Sequence, residues 1–257
     1  MVSRALLTFV ADALVLVQTE PMTGVRERVR AEMLGEIKAA ARAQLATEGA
    51  NLSLRAIARD LGMVSSAIYR YYRSRDELLT ALILDAYNAL ADAATAAEAV
   101  VPRDRLADRY AAVARAIRRW ALANRAEYAL LFGSPVPGYA APPDTTVPVT
   151  RLSLVVIDIL RDGVVAGVLS EVPGVPDPVT ADMAGTLEAV DRSVVPPSLL
   201  AAGLAAWTGT FGLISFELWG HLNRVVSDYD AFFDHQVRRL VAGLGLAPDT
   251  PQARPLS

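Results

Sequence analysis

The sequence predicts an all-α protein with an N-terminal three-helix helix-turn-helix domain followed by a helical bundle. Three observations predict it. Apolar residues recur at helical spacing through nearly all of the 257 residues, alternating strand patterns are absent, and the interruptions are short clusters of proline and glycine. Val29, Met33, Ile37, Ala41 and Leu45 form a four-residue row along a first helix that ends near Gly49. Leu54, Ile57, Ala58 and Leu61 repeat at i, i+3, i+4, i+7 in a short helix that Ser53 can cap and Gly62 can end. A third helix is expected over 65–72. A fourth starts near Asp76 and carries Leu79, Leu82, Ile83, Ala86 and Leu90 on one side.

Helices are then expected over 103–123 and 126–132, followed by a Pro/Gly/Thr-rich loop over 133–148. The helical pattern resumes over 151–166, breaks at Pro173, Pro176 and Pro178, and is weak over 181–191. Pro196 and Pro197 suit the opening of a long helix through Val225, and 229–244 reads as the last. The tail after Ala247 carries three prolines and is expected to fray. This gives four expected segments: an extension over 1–25, a helix-turn-helix domain over 26–75, a larger helical domain over 76–247 and a tail over 248–257. No internal repeat of fixed period is visible.

Composition narrows the function. With no cysteine and only His221 and His235, thiolate zinc sites, iron-sulfur clusters, disulfide scaffolds and cysteine nucleophiles are unavailable. No metal and no cofactor is expected, and neither a nucleophile motif nor a phosphate-cradling glycine loop is present, so no enzyme is expected. A cytoplasmic compartment fits the absence of cysteine. The apolar run Ala5–Val17 follows Arg4 but contains Asp12, falls short of a membrane span of about 18 residues and has no small-x-small cleavage site. Residues 1–21 are expected to be a short extra helix or a translated leader, since Met22 can itself be a start. The net charge of −3 divides unevenly: residues 26–75 hold ten Lys/Arg against five Asp/Glu, a balance of +5, and the remainder stands at −8. A basic fifth on an otherwise acidic chain points to a nucleic-acid module attached to something that is not one.

The segment 52–79 contains the parts of a DNA-reading motif: a short amphipathic helix, a glycine turn and a second short helix presented to the major groove. Ala58 is small enough for close helix approach, and Gly62 permits the positive backbone angle of a tight turn. Ile68 and Tyr72, four apart, face the core, which directs Ser65, Ser66, Ala67, Tyr69, Arg70 and Tyr71 outward. Small residues let a recognition backbone sit deep in the groove, where hydroxyls meet base edges and the Ala67 methyl meets thymine. Tyr69 and Tyr71 can donate to phosphates, and Arg70, Arg73 and Arg75 supply charge. Asp76 and Glu77 suit the start of the fourth helix but oppose a phosphate there, so contact is expected through Arg75 and not through the helix end.

At Ile57-Ala58, Gly62, the Ile68-Tyr69-Arg70-Tyr71-Tyr72 run and Ser74-Arg75-Asp76-Glu77-Leu78-Leu79 the sequence resembles the tetracycline-repressor (TetR) family of bacterial regulators, over about 50 residues from Arg26. The resemblance implies an all-helical dimer whose amino-terminal domain binds a double-stranded operator and whose carboxy-terminal domain binds a small effector. By position it implies base-edge contacts from Arg55, Ser65, Ser66 and Ala67, and backbone contacts from Ser53, Tyr69, Tyr71 and Arg75. One departure is Val64, which replaces a capping side chain before the recognition helix and shifts the cap to Ser65. The run from Trp207 to Gly212 also resembles the Trp-x-x-x-His-Gly element of a carboxy-terminal subclass, the WHG-type domain, with Phe211 in the His position.

A single helix-turn-helix module buries roughly 600 to 1,000 Å², so specificity calls for two half-sites and a homodimer. Leu200, Leu204, Trp207, Phe211, Ile214 and Leu218 step by four and three in a coiled seam, and Phe233, Val237, Leu240 and Leu244 do the same in the last helix. Two such helices per subunit make a four-helix interface, with packing inside one chain as the other reading. Gly203, Gly209, Gly212 and Gly220 fall inside the long helix, where close contact with a neighbouring helix can offset their cost. The effector is expected to be apolar, in a pocket lined by Trp120, Tyr128, Phe132, Leu154, Phe216, Glu217 and His221, with Glu217 and His221 paired four apart on one helix face. The reading is thus a ligand-responsive transcriptional regulator, more often a repressor by the resemblance. The rivals are an all-helical lipophile carrier or enzyme without DNA binding, and a purely structural helical dimer. Steep salt dependence of duplex binding separates the first from the others.

Overall fold

A computed structural model describes residues 24–142 and 146–246, which contain nine α-helices and no strand. The leader or extra helix expected at 1–21 and the tail after Ala247 lie outside the described residues. The helices are α1 (Val25–Glu48), α2 (Leu54–Asp60), α3 (Arg75–Ala99), α4 (Leu106–Ala123), α5 (Arg125–Phe132), α6 (Thr146–Val165), α7 (Asp177–Ala189), α8 (Pro197–Leu218) and α9 (Tyr229–Ala242). A 3-10 turn, Ile68–Arg70, lies between α2 and α3. The chain divides into two compact units, residues 1–89 with 124–148, and residues 90–123 with 149–257.

The first unit is larger than the expected 26–75 because its core draws on later residues. Ile37, Ala41 and Leu45 of α1 pack with Leu54, Ile57 and Ala58 of α2, with Ile68 and Tyr72, and with Leu78, Leu79 and Leu82 of α3. Ala126 and Leu130 of α5, and Val136 and Tyr139 after it, close over this cluster. Val29, placed in the α1 row by its spacing, is 53% exposed. Asp85 accepts Lys38 at 2.7 Å and Arg42 at 2.9 Å, and Arg42 also reaches Glu127 at 3.4 Å, which ties α1 to α3 and α5.

The second unit packs α4, α7, α8 and α9 against one another in the pairs α7 with α8, α9 with α4, α9 with α8, and α4 with α8. Ionic ties reinforce them. Arg109 of α4, with no exposed side-chain surface, lies between Glu98 at 2.6 Å and Asp162 of α6 at 2.8 Å, and donates to the Arg103 carbonyl at 3.1 Å. Burial raises the Asp162 pKa, but Arg161 and Arg109 outweigh it and hold the carboxyl below its ordinary value. Arg118 grips Glu217 of α8 with two nitrogens at 2.6 and 2.7 Å, donates to Asp230 of α9 at 2.6 Å, and lies 5.1 Å over the Phe233 ring. Buried Tyr110 shares a 3.1 Å hydrogen bond with Thr210, and burial pushes its phenol up to about 12.

Four sequence expectations change here. The sixth helix begins at Thr146, so Pro148 falls in its first turn, where a missing amide removes no bond. The long helix stops at Leu218 instead of continuing to Val225. Gly220, at φ +75°, reverses the chain, and His221 N donates to the Phe216 carbonyl at 2.9 Å while Gly220 N donates to that of Glu217 at 3.1 Å. This 6→1 and 5→2 pair is the Schellman geometry that ends a helix. The Phe233, Val237 and Leu244 stripe is buried in its own subunit, and Leu240 packs against Gly209, so the last helix does not present that stripe to a partner. Gly203 likewise receives Leu160, which accounts for two of the α8 glycines within one chain. Finally, α8 has the length and apolar composition of a membrane span, which the sequence analysis did not single out; it packs against three helices of its own unit, with Leu199, Ala206, Thr210 and Ile214 buried.

Replacing Arg118 with Ala strands Glu217, only 12% exposed, beside an apolar core. The expected loss is about 3 kcal/mol in urea denaturation, and the paired replacement Arg118→Met with Glu217→Leu is expected to lose less than the single change.

Candidate nucleic-acid interface

The reading element is positioned from two ends. Ser53 caps α2: its Oγ accepts from Ala56 N at 3.3 Å, and its own amide donates to Gln44 Oε1 at 3.2 Å. At the other end Gly62, φ +66°, supplies the left-handed turn, with Met63 N donating to the Ala58 carbonyl at 2.8 Å and Gly62 N to that of Arg59 at 3.0 Å. The chain leaves α2 at once and re-enters the core through Ile68 and Tyr72, which are 0% and 6% exposed.

Between them the expected recognition helix over 65–72 is a turn followed by a 3-10 turn. Ala67 N donates to Val64 O at 2.8 Å, Arg70 N to Ala67 O at 3.1 Å and Tyr71 N to Ile68 O at 2.9 Å, all at i−3 spacing; Tyr72 N reaches Ile68 O at 3.1 Å. The cause is local. Val64 offers no capping atom, and no side chain caps the 3-10 turn, so Ser65 does not take that role. Eight residues held by core anchors at 68 and 72 also leave little room to propagate an α-helix.

The exposed face carries most of the expected residues. Ser53, Arg55, Ser65, Ser66 and Arg70 are exposed, Tyr69 is 43% exposed and Ala67 is half-buried. Arg59, on the same short helix as Arg55, keeps 80% of its side chain in solvent. Two residues differ from expectation. Tyr71 packs against the core, and its ring lies 5.4 Å beneath the Arg30 guanidinium. Arg75 Nη2 donates to the Ala50 carbonyl at 2.6 Å, and its Nη1 lies 3.9 Å from Asp76, so the group braces the turn before α2. The start of α3 is occupied by the chain itself: Ser74 Oγ accepts from Glu77 N at 3.1 Å and Glu77 Oε2 accepts from Arg73 N at 2.6 Å. Arg30 was missed by sequence reasoning. It lies 40 residues from its partner Arg70, and no spacing pattern connects them.

The expected effector residues are not gathered in one place. Tyr128 and Phe132 belong to the first unit, where their rings lie 5.0 Å apart and Phe132 meets Tyr87 edge-on at 6.0 Å. Trp120, Leu154, Phe216, Glu217 and His221 belong to the second. Glu217 is held by Arg118 and not by His221; His221 lies past the helix end with its ring 5.1 Å from Phe216, itself 53% exposed. Leu154 alone borders a groove of about 930 Å³, whose other lining includes Glu98, Arg103, Arg151, Val155, Asp158, Arg161 and Asp162. Trp207 and Phe211 pack edge-on at 4.8 Å, so the residue in place of histidine keeps an aromatic contact.

Comparisons with known proteins agree with this geometry. Residues 37–82 match the family model described as bacterial regulatory proteins, tetR family, and residues 110–240 match that described as tetracyclin repressor-like, C-terminal domain. The HTH-type transcriptional regulators Rv1816 of Mycobacterium tuberculosis and Mb1846 of Mycobacterium bovis are each 43% identical over 230 residues, covering 86% of this chain and 96% of theirs. The crystal structure of the regulatory protein SCO4313 is 35% identical, with a TM-score of 0.70, over 85% of this chain and 100% of that one. PfmR from Thermus thermophilus, at 19% identity and a TM-score of 0.55 over 81% of this chain and 98% of its own, shares the fold.

At Gly62 an added Cβ meets nothing within 4 Å, so Gly62→Ala tests the backbone angle alone. The expected cost is about 1 to 2 kcal/mol, read as a lower denaturation midpoint with an unchanged denaturant slope.

Proposed function

Because this chain belongs to the TetR family and is a DNA-binding transcriptional regulator, we propose that it acts as a ligand-responsive repressor that binds a pseudopalindromic operator as a homodimer in the cytoplasm and catalyses no reaction. The observation that carries the proposal is the ridge of Ser65, Ser66, Tyr69 and Arg70, held outward by buried Ile68 and Tyr72 in a segment of local charge +5. In this reading Arg55, Ser65, Ser66 and Ala67 meet base edges, and Ser53, Tyr69 and Arg70 contact phosphates. Tyr71 and Arg75 support the ridge from behind, with any backbone contact of theirs secondary.

Pairing uses the outer face of α8. Leu204, Thr208, Gly212, Phe216 and Trp219 step along one side, with Leu204 and Trp219 each 46% exposed. Gly212 differs from Gly203 and Gly209 in that its added Cβ meets nothing of its own chain. A second copy laid there gains close backbone approach and covers the apolar row. The effector occupies the groove at Leu154, and the mixture of Arg103, Arg151, Arg161, Asp158 and Asp162 with Leu154 and Val155 suits a ligand with polar groups on an apolar body, more polar than the apolar one first expected. Such a ligand acts as an inducer only if it binds the DNA-free arrangement more tightly.

Titration of a duplex at increasing salt tests the DNA surface. Arg70→Ala is expected to weaken binding to all duplexes and to reduce the salt slope by about one per subunit, and Tyr69→Ala to weaken it without regard to sequence. Arg55→Ala and Ser66→Ala are expected to relax base preference at single positions, at about 1 to 3 kcal/mol each. Parent-like binding by all four variants overturns the assignment. Gly212→Gln is expected to leave helix content unchanged while shifting the protein to a monomer in light scattering; a retained dimer places the interface elsewhere.

A further inference from the structure

We propose that Arg30 is a positioning residue for DNA reading: from the first turns of α1 it clamps the 3-10 turn, stacking on Tyr71 and donating to the Arg70 carbonyl, and so sets the direction of Tyr69 and Arg70.

The recognition segment lacks the devices that normally fix a short helix. No side chain caps its start, and its bonds run mainly to i−3. Its last carbonyls are the ones left without a following turn, because Arg73 and Ser74 form a bend before α3 begins at Arg75. Arg30 comes from another element to this end. Its Nη1 donates to Arg70 O at 3.4 Å, and its guanidinium carbon is 5.4 Å from the Tyr71 ring centroid. A planar guanidinium does both at once, since one face lies on a ring while an edge N–H points at a carbonyl; a lysine ammonium is a compact, strongly hydrated charge on a flexible stem and holds the two contacts less firmly.

The two contacts fall on residues 70 and 71, at the C-terminal end of the exposed pair. Tyr71 is seated in the core and Arg30 lies over it, so the backbone between Ile68 and Tyr72 is held from below by apolar packing and from above by a cation. Removing the cation leaves Ile68 and Tyr72 buried and the fold intact. The 3-10 turn then loses its outer restraint, and the outward side chains sample more directions before meeting the duplex. Binding must then order them, which weakens recognition without removing a DNA contact.

The inference rests on the assignment of Tyr69 and Arg70 to the DNA surface. The test uses the full chain and a duplex selected by the parent protein from a randomised library, with affinity followed by fluorescence anisotropy across a salt series. Arg30→Ala is expected to bind that duplex about five- to thirty-fold more weakly, as loss of one exposed cation–π contact in each of two subunits allows, to weaken binding to random duplex by a similar factor, since Tyr69 and Arg70 contact phosphates, and to keep the parent's salt slope. Arg30→Lys is expected not to restore affinity. In a cycle with Tyr71→Ala, the second substitution is expected to add little to the first. A salt slope that falls by about one per subunit together with rescue by Lys makes Arg30 a phosphate contact and overturns the proposal; so do additive effects in the cycle. Thermal melting checks that the variants are folded, and Arg30, exposed on α1, is expected to leave it within a few degrees. If Tyr69→Ala and Arg70→Ala also leave binding unchanged, the surface assignment fails; if they weaken binding and Arg30→Ala does not, only the clamp does.

Discussion

Burial of Ile68 and Tyr72 in one apolar cluster is the constraint on which the molecule's chemistry depends. The two side chains sit four residues apart, and seating both leaves the backbone between them no freedom to turn over. Tyr69 and Arg70 therefore face away from the core, while Tyr71 packs at its edge. The surrounding elements serve this placement: α1 supplies Ile37, Ala41 and Leu45 as the floor, α3 supplies Leu78, Leu79 and Leu82 as one wall, and Gly62 lets the chain arrive at the right angle from α2. The ridge proposed to read DNA is thus a by-product of a small, well-filled core and needs no long helix of its own.

How much was legible in the sequence followed from how local the physics was. Ser53 and Gly62 announced a helix of about seven residues because a cap and a left-handed turn act through neighbours in the chain. Ile68 and Tyr72 were legible by spacing alone. The 3-10 geometry was not, because a 3-10 turn of three residues is too short to leave a period in the sequence, and Val64 was read as moving a cap when its effect was to remove one. The over-extended α8 shows the same limit from the other direction: periodicity continued past Leu218, and the single glycine that stopped it looked like three others in the same helix. Glu217 was assigned to His221 by sequence proximity, whereas Arg118, 99 residues away, holds it with two hydrogen bonds. Long-range contacts of this kind, like those of Arg30 with the Arg70 carbonyl and the Tyr71 ring, leave no pattern in a single sequence.

The two units use charge differently. In the first, cations are mostly left in solvent on the reading side, and the ion pairs of Lys38 and Arg42 lie away from it, around Asp85. In the second, Arg109, Arg115, Arg118 and Arg192 are each consumed by carboxylates within the unit, with Arg115 gripping Asp234 at 2.6 and 3.1 Å. The excess of acid over base in that half therefore does not mean an absence of arginine. It means that its arginines serve as rivets between helices.

The irregular backbone of residues 64–72 carries a consequence for how such a protein changes over time. A segment with few i−4 bonds has little helical propensity to preserve, and its four outward positions, Ser65, Ser66, Tyr69 and Arg70, contribute little to the buried cluster. Mutations there drift at small cost to folding, while the anchors at 68 and 72 keep the frame constant. If Ser65 and Ser66 meet base edges as proposed, target preference and foldability are nearly separate traits, and point changes there alter the first on a scaffold that stays the same.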